Sequence, residues 1–276
     1  MAWPQDHWYA LADDTVINIQ MDDPHVQDPD VLQSWRFRVV DGSVLRVLSG
    51  RLGIADPGYD LRGRTGRSDL GEVEIPAGSH PIRTTQADIS RRDEATVLDS
   101  RTAYVSLMLA AGREVGRRKL ALVPSGQEPP LLADDEFMGF GVDGGTACLV
   151  DAEAARRYFP DISAWFARNY PEHRWWLGEH SGEDAAVDAD WFDALHESLN
   201  PHPKPGYQYQ EVVNLTLPRA LAGENLVAVR SGWGDGYYAV VGGYDANGRL
   251  LAVHVDFFLV PDPPGISWLM ASVEPA

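Results

Sequence analysis

The sequence predicts an α+β protein, mainly antiparallel β, built as a sandwich or as curved sheets, with a helical insertion at about 152–199. Three observations predict it. Short β-branched and aromatic runs alternate with Gly, Pro and Asp turns over residues 35–151 and again after 206. Two runs, "AEAARRYF" and "ISAWFARNY", each follow an aspartate and stop at Pro160 and Pro171, as capped short helices do. Val187, Trp191, Leu195 and Leu199 recur every fourth residue, which marks an amphipathic helix over "AVDADWFDALHESL".

The elements follow in order. Residues 1–34 are acidic and broken by Pro4, Pro24 and Pro29, so they read as an irregular arm with a short strand at Thr15–Ile19. "WRFRVVDGSVLRVLSG" alternates around Asp41-Gly42, a pair that signals a hairpin. "RLGIADPGYD" is a strand entering a proline turn, and 60–72 is a polar, glycine-rich mobile loop. "VEIPAGSHPI", "TAYVSLMLAA" and "RRKLALVP" are strands, and "SGQEPPLLADDEF" is a proline-rich connector. After the helices, "NPHPKPG" breaks the chain. Four strands close it: "YQEVVNLTLP", "NLVAVRSG", "YYAVVGGYD" and "LLAVHVDFFLV", the last two joined by a tight turn at Asp245–Gly248. There is no repeat and no linker between independent units. The division expected is an arm with the first strands over 1–48 and a β-rich domain with its helical insertion over 49–276.

The formal charge is −18, from 23 basic and 41 acidic residues. Such a field repels phosphate backbones and anionic membranes, so neither nucleic acid nor a membrane is an expected partner. It aids solubility, and it suits a basic protein partner. The single cysteine, Cys148, forms no intrachain disulfide and lies in the apolar run "TACLV", where a small buried residue is expected. "MAWPQDHWYAL" lacks the pattern of a signal peptide, and no apolar run reaches the roughly 18 residues of a span. A cytoplasmic location is the expectation.

Several motif matches fail on context. "GFGVDG" fits the dinucleotide glycine pattern, but a short β-prone run follows where that chemistry needs a helix. "HESLN" begins like a zinc-protease helix, yet Asn200 stands in place of the second ligand. His196 then reads as a surface histidine, and His173 and His180 are too far apart for one helical face. The acids Asp184, Asp188, Asp190, Asp193 and Glu197 lack EF-hand spacing and read as the solvated face of a helix.

Two stretches remain: "GFGVDGGT" with Asp143, Gly145 and Thr146, and "SGWGDG" with Trp233, Asp235 and Gly236. Each sets a carboxylate among glycines, where backbone N–H groups and the carboxylate can both face a guest. Each is also what a plain turn requires.

These same stretches carry a resemblance. The order "SGRLGIADP", "IPAGSHPI", "DDEFMGFGVDGGTACLVD" and "NLVAVRSGWGDGYYAVVGGYDANGRLLAVHVDFFLV" resembles a family of bacterial, actinobacterial-type proteins known only as a domain of unknown function, over residues 49–260. The resemblance brings no reaction. It points to Asp56, Asp143, Gly145, Thr146, Trp233, Asp235 and Asp256 as matching positions. It departs at Ala239 and at Gly242 or Gly243, where the family pattern carries proline and tryptophan.

Three functions fit these residues. The favoured one is a non-enzymatic partner- or ligand-binding module, immunity-like by analogy with acidic proteins that neutralise basic toxins. The alternative is a hydrolase of a polar small molecule or sugar, with Asp143 and Asp235 as its carboxylates and Trp233 and Tyr238 beside them. No cofactor is expected. A structural calcium ion held by Asp143, Asp235 or Asp256 with turn carbonyls is the third reading.

Overall fold

The alternating and β-branched runs form thirteen strands among the residues that the computed structural model describes, namely 15–20, 32–63, 70–91, 97–123, 127–128, 130, 136–172, 183–199 and 212–260. They are β1 (Thr15–Gln20), β2 (Leu32–Val47), β3 (Arg51–Ala55), β4 (Gly71–Glu74), β5 (Gly78–Arg91), β6 (Val97–Met108), β7 (Gly116–Lys119), β8 (Phe140–Val142), β9 (Thr146–Asp151), β10 (Val212–Thr216), β11 (Asn225–Arg230), β12 (Gly236–Tyr244) and β13 (Leu250–Asp256). The helices are α1 (Ala152–Tyr158), α2 (Ile162–Asn169) and α3 (Glu183–Leu199). The expected α+β, mainly antiparallel architecture with its helical insertion is what the chain adopts. The connector at 125–137 is described only in part. Most of the arm, the break at 200–206, His173 and His180 lie outside the described residues.

The larger sheet has the order β1-β2-β5-β6-β13-β12-β7, with β8 also paired to β12. The smaller has the order β10-β11-β9-β3-β4. The two pack face to face through Val105, Leu107, Val253 and Val255 of the larger and Leu52, Ile54, Leu149 and Val227 of the smaller. The other face of the smaller sheet is covered by α1 and α3, through Cys148, Val150, Ala228, Trp191, Phe192 and Leu195. β9 is therefore buried at every position, which explains its unbroken apolar run. Cys148 is completely buried, as expected. Burial, followed by the charge of nearby Asp56, pushes its thiol well above the ordinary range.

Asp151 and Asp161 cap α1 and α2 as expected, accepting from Ala154 N and Ser163 N. Asp151 also accepts from Ser49 N at 2.6 Å, which ties the first helix to the turn before β3. No described helix is long and apolar enough to cross a membrane.

Four expectations are corrected. Asp41-Gly42 is not a hairpin: β2 runs straight through it, and the ladder with β5 shifts register between Asp41 and Ser43, as at a bulge. Pairing with β5 on both sides, which buries Trp35, Phe37, Leu45 and Val47, outweighs the local turn preference. "VEIPAGSHPI" is two strands, β4 and β5, in different sheets. On α3 the buried stripe contains Trp191, Phe192, Leu195 and Leu199, whereas Val187 is exposed. Asp188 is not on the solvated face; it is buried and accepts from Asp161 N at 2.9 Å and from Arg219. His196 is at the surface, its ring stacked on Trp165.

Candidate functional site: a paired glycine corner

The two glycine blocks perform the same manoeuvre in opposite directions. β8 lies in the larger sheet, turns at 143–145, and becomes β9 of the smaller. β11 lies in the smaller sheet, turns at 231–235, and becomes β12 of the larger. β9 pairs with β11, and β8 pairs with β12. The turns consequently run side by side where the chain twice crosses between the sheets. Corners of this kind need sharp bends, which is where glycine is required. Gly145 at φ +59° and Gly234 at φ +93° occupy the left-handed region that favours glycine.

The corner is bound together by polar contacts. Ser231 N donates to Gly145 O at 3.1 Å, and Gly145 N donates to Asp235 Oδ1 at 3.0 Å. Within the second turn, Ser231 Oγ and Tyr238 Oη both donate to Gly234 O, at 2.6 and 2.8 Å. Below the first turn sits Asp56, 2 % exposed, just after β3. Its Oδ2 accepts from Asp143 N at 2.8 Å and Gly144 N at 2.9 Å, and its Oδ1 accepts from Gly58 N at 2.7 Å. A buried carboxylate with three N–H donors is satisfied by the backbone and organises the turn.

Trp233 fastens the second turn to the long strands. Its ring lies 6.1 Å from Trp35, and the Arg101 guanidinium sits 4.6 Å from its centroid. Arg101 also donates to Gly232 O at 3.2 Å and pairs with Asp99. Asp256 accepts from Phe258 N at 2.8 Å and so supports Phe258, which holds a left-handed φ of +54°. The Phe258 ring packs against Phe137 and Tyr238, and its carbonyl faces Trp233 Nε1 at 3.4 Å.

The structure thus brings together Asp56, Asp143, Gly145, Thr146, Trp233, Asp235 and Tyr238, with Asp256 one step removed behind Phe258. Their exposures differ. Asp56, Thr146 and Tyr238 are buried; Asp143 and Asp235 face solvent. Burial, followed by the negative charge of Asp235, raises the Tyr238 phenol above its ordinary range; bonds to Ser231 and Trp233 and the charge of Arg101 oppose it. Among the described residues, no group of three or more His, Cys, Asp or Glu is placed to hold a metal ion.

Three residues beside the corner went unread in the sequence. Tyr237 is 50 % exposed and its ring stacks on Phe137 at 5.5 Å; Met138 beside them is 37 % exposed. Tyr237 Oη donates to Gly139 O at 3.0 Å. Strand parity was the available signal: Tyr238 turns inward with Val240, so Tyr237 turns outward. At Gly242 and Gly243, where the resemblance places tryptophan, Leu250, Tyr244 and Glu114 occupy the space a side chain would need.

Fold and site define a class: a two-sheet β protein with a helical layer, whose glycine blocks form one paired corner between the sheets. The chain belongs to the family described as Protein of unknown function (DUF4241), matched over residues 45–255, well over half its length. The match begins in β2 and ends in β13, and so includes both blocks. No curated protein and no solved structure matches the chain.

Proposed function

We propose that the protein is a partner-binding module, non-enzymatic at this corner, and that the paired corner is its contact surface. The observation that carries this reading is the exposed pair Met138 and Tyr237, with the half-buried Phe137 stacked on Tyr237, beside the exposed carboxylates Asp143 and Asp235. An aromatic anchor rimmed by charge, held on a backbone that is locked before binding, suits recognition at low ordering cost. With a net charge of −18, the fitting partner is a basic protein that presents Lys or Arg to the two aspartates and an apolar residue to Tyr237.

The test is affinity capture from a lysate of the native host, comparing the wild type with an Asp143→Asn/Asp235→Asn/Tyr237→Ala variant. Asparagine at 235 retains an acceptor for Gly145 N, so the corner survives. A protein held by the wild type and lost by the variant, with an on-rate that falls as salt rises, is the expected result. Equal capture by both, or binding indifferent to salt, refutes the reading.

A further inference from the structure

A second polar constellation lies on the face of the larger sheet turned away from the smaller one. Val105, Leu107, Val253 and Val255 point into the inter-sheet core, so the residues between them, Ser106 and His254, point outward. Ser106 and His254 are register partners across β6 and β13. On its other side Ser106 faces Arg83 of β5, and Arg83 in turn faces Asp41 of β2. One row of side chains therefore crosses four strands.

His254 joins the row to a carboxylate. Ser106 Oγ is 2.8 Å from His254 Nδ1, and both oxygens of Glu114 are 3.2 Å from His254 Nε2. Glu114 comes from the segment between β6 and β7 and lies against Gly243, where a methyl group would overlap the carboxylate. A carboxylate only accepts, so Nε2 carries the ring proton, and Nδ1 offers its lone pair to the serine hydroxyl. Nucleophile, base and orienting acid in hydrogen-bond sequence is the arrangement that activates serine on unrelated folds. Here the ring is reversed, with Nδ1 toward the serine.

We propose that Ser106 is an acyl-transfer nucleophile, with His254 as its base and Glu114 as a positioning residue, acting on a small carboxylic ester. Ser106 Oγ bonds to the ester carbonyl carbon as its proton passes to His254 Nδ1. The ester C–O bond then breaks, and the leaving oxygen departs as an alcohol with that proton. Water attacks the acyl-serine, giving a proton to Nδ1; the acid leaves, and the proton returns to Oγ. Arg83, the register neighbour of Ser106, carries its guanidinium toward Asp41 and would have to leave that pair to meet the oxygen charge that develops. Its pair with Asp41 joins two exposed side chains, which water weakens. Exposure rises along the row, from 1 % at His254 and 3 % at Ser106 to 45 % for the Arg83 side chain, so an ester approaches from the Arg83 side.

The site is on a different face from the glycine corner, and its test is independent of partner capture. The full chain is incubated with a fluorophosphonate probe under native conditions, then analysed by intact mass and peptide mapping. The expected result is one phosphonyl adduct on Ser106, absent in Ser106→Ala. In His254→Asn the labelling rate falls about 100-fold or more. In Glu114→Gln the labelling rate falls while the thermal unfolding midpoint stays at that of the wild type; a purely structural loss would lower both together. An unlabelled Ser106 in the wild type, read directly by peptide mapping, overturns the proposal. So does labelling that proceeds at an unchanged rate in His254→Asn.

Discussion

The backbone of Gly145 is held by the opposite turn at both of its polar groups: its N–H donates to Asp235 Oδ1 at 3.0 Å, and its carbonyl accepts from Ser231 N at 3.1 Å. Two segments nearly ninety residues apart thus share one corner. The contact separates two roles of Asp235, as hydrogen-bond acceptor and as charge. Asp235→Ala is expected to lower stability by about 1 kcal/mol, the net worth of one hydrogen bond. Asp235→Asn keeps an acceptor and costs less. Urea denaturation of both variants checks the difference; equal losses would mean that the Gly145 contact contributes nothing.

Asp56 is the heavier support. Removing its carboxylate leaves three backbone N–H groups without their acceptor in a buried place. Asp56→Ala is expected to cost about 3 kcal/mol, because unsatisfied buried donors bear the full cost of desolvation. The shift in denaturation midpoint measures it. A midpoint within error of the wild type would show that the first turn forms without this residue.

Gly139 and Gly141 make a matched pair, two residues apart on the approach to the corner. A Cβ at Gly139 would overlap the carbonyl of Tyr238, whereas a Cβ at Gly141 meets nothing within 4 Å. Gly139→Ala is expected to cost at least about 3 kcal/mol, since a backbone atom cannot rotate aside. Gly141→Ala stays within about 0.5 kcal/mol of the wild type. Thermal unfolding of both variants decides the matter, and similar losses would contradict the close approach of β8 to β12.

Tyr238 links the corner to alkaline pH. Its phenol is raised above the ordinary value of 10.0 chiefly by burial. A raised pKa in the folded state favours the neutral phenol. Its stabilising contribution is therefore fully present below the ordinary tyrosine range and is lost as pH rises through the raised value. Absorbance of phenolate, followed during alkaline titration of the wild type and Tyr238→Phe, should differ by one late-titrating tyrosine. A missing step within the ordinary range would refute it. Tyr238→Phe should also cost about 1 kcal/mol at neutral pH, because Gly234 O keeps its bond from Ser231 Oγ.

Much of this was legible in the sequence, where local chemistry decides the outcome. Asp151 and Asp161 announce their helices because a cap is a contact of two or three residues' reach. Asp245 Oδ1 accepts from Asn247 N and Arg249 N, so the last turn is equally local. The strand runs, the burial of Cys148 and the choice of the two glycine blocks follow from residue types alone. The tertiary structure decided what depends on distant partners. Asp41-Gly42 carries a hairpin signal, yet β5 pairs with both sides of it and keeps β2 continuous. Asp188 reads as solvated until Asp161 N and Arg219 enclose it. The sequence marks Asp143 and Asp235 as carboxylates among glycines. Only the crossing of two strand pairs between two sheets sets their turns side by side, because register is a property of the whole sheet and not of any single strand.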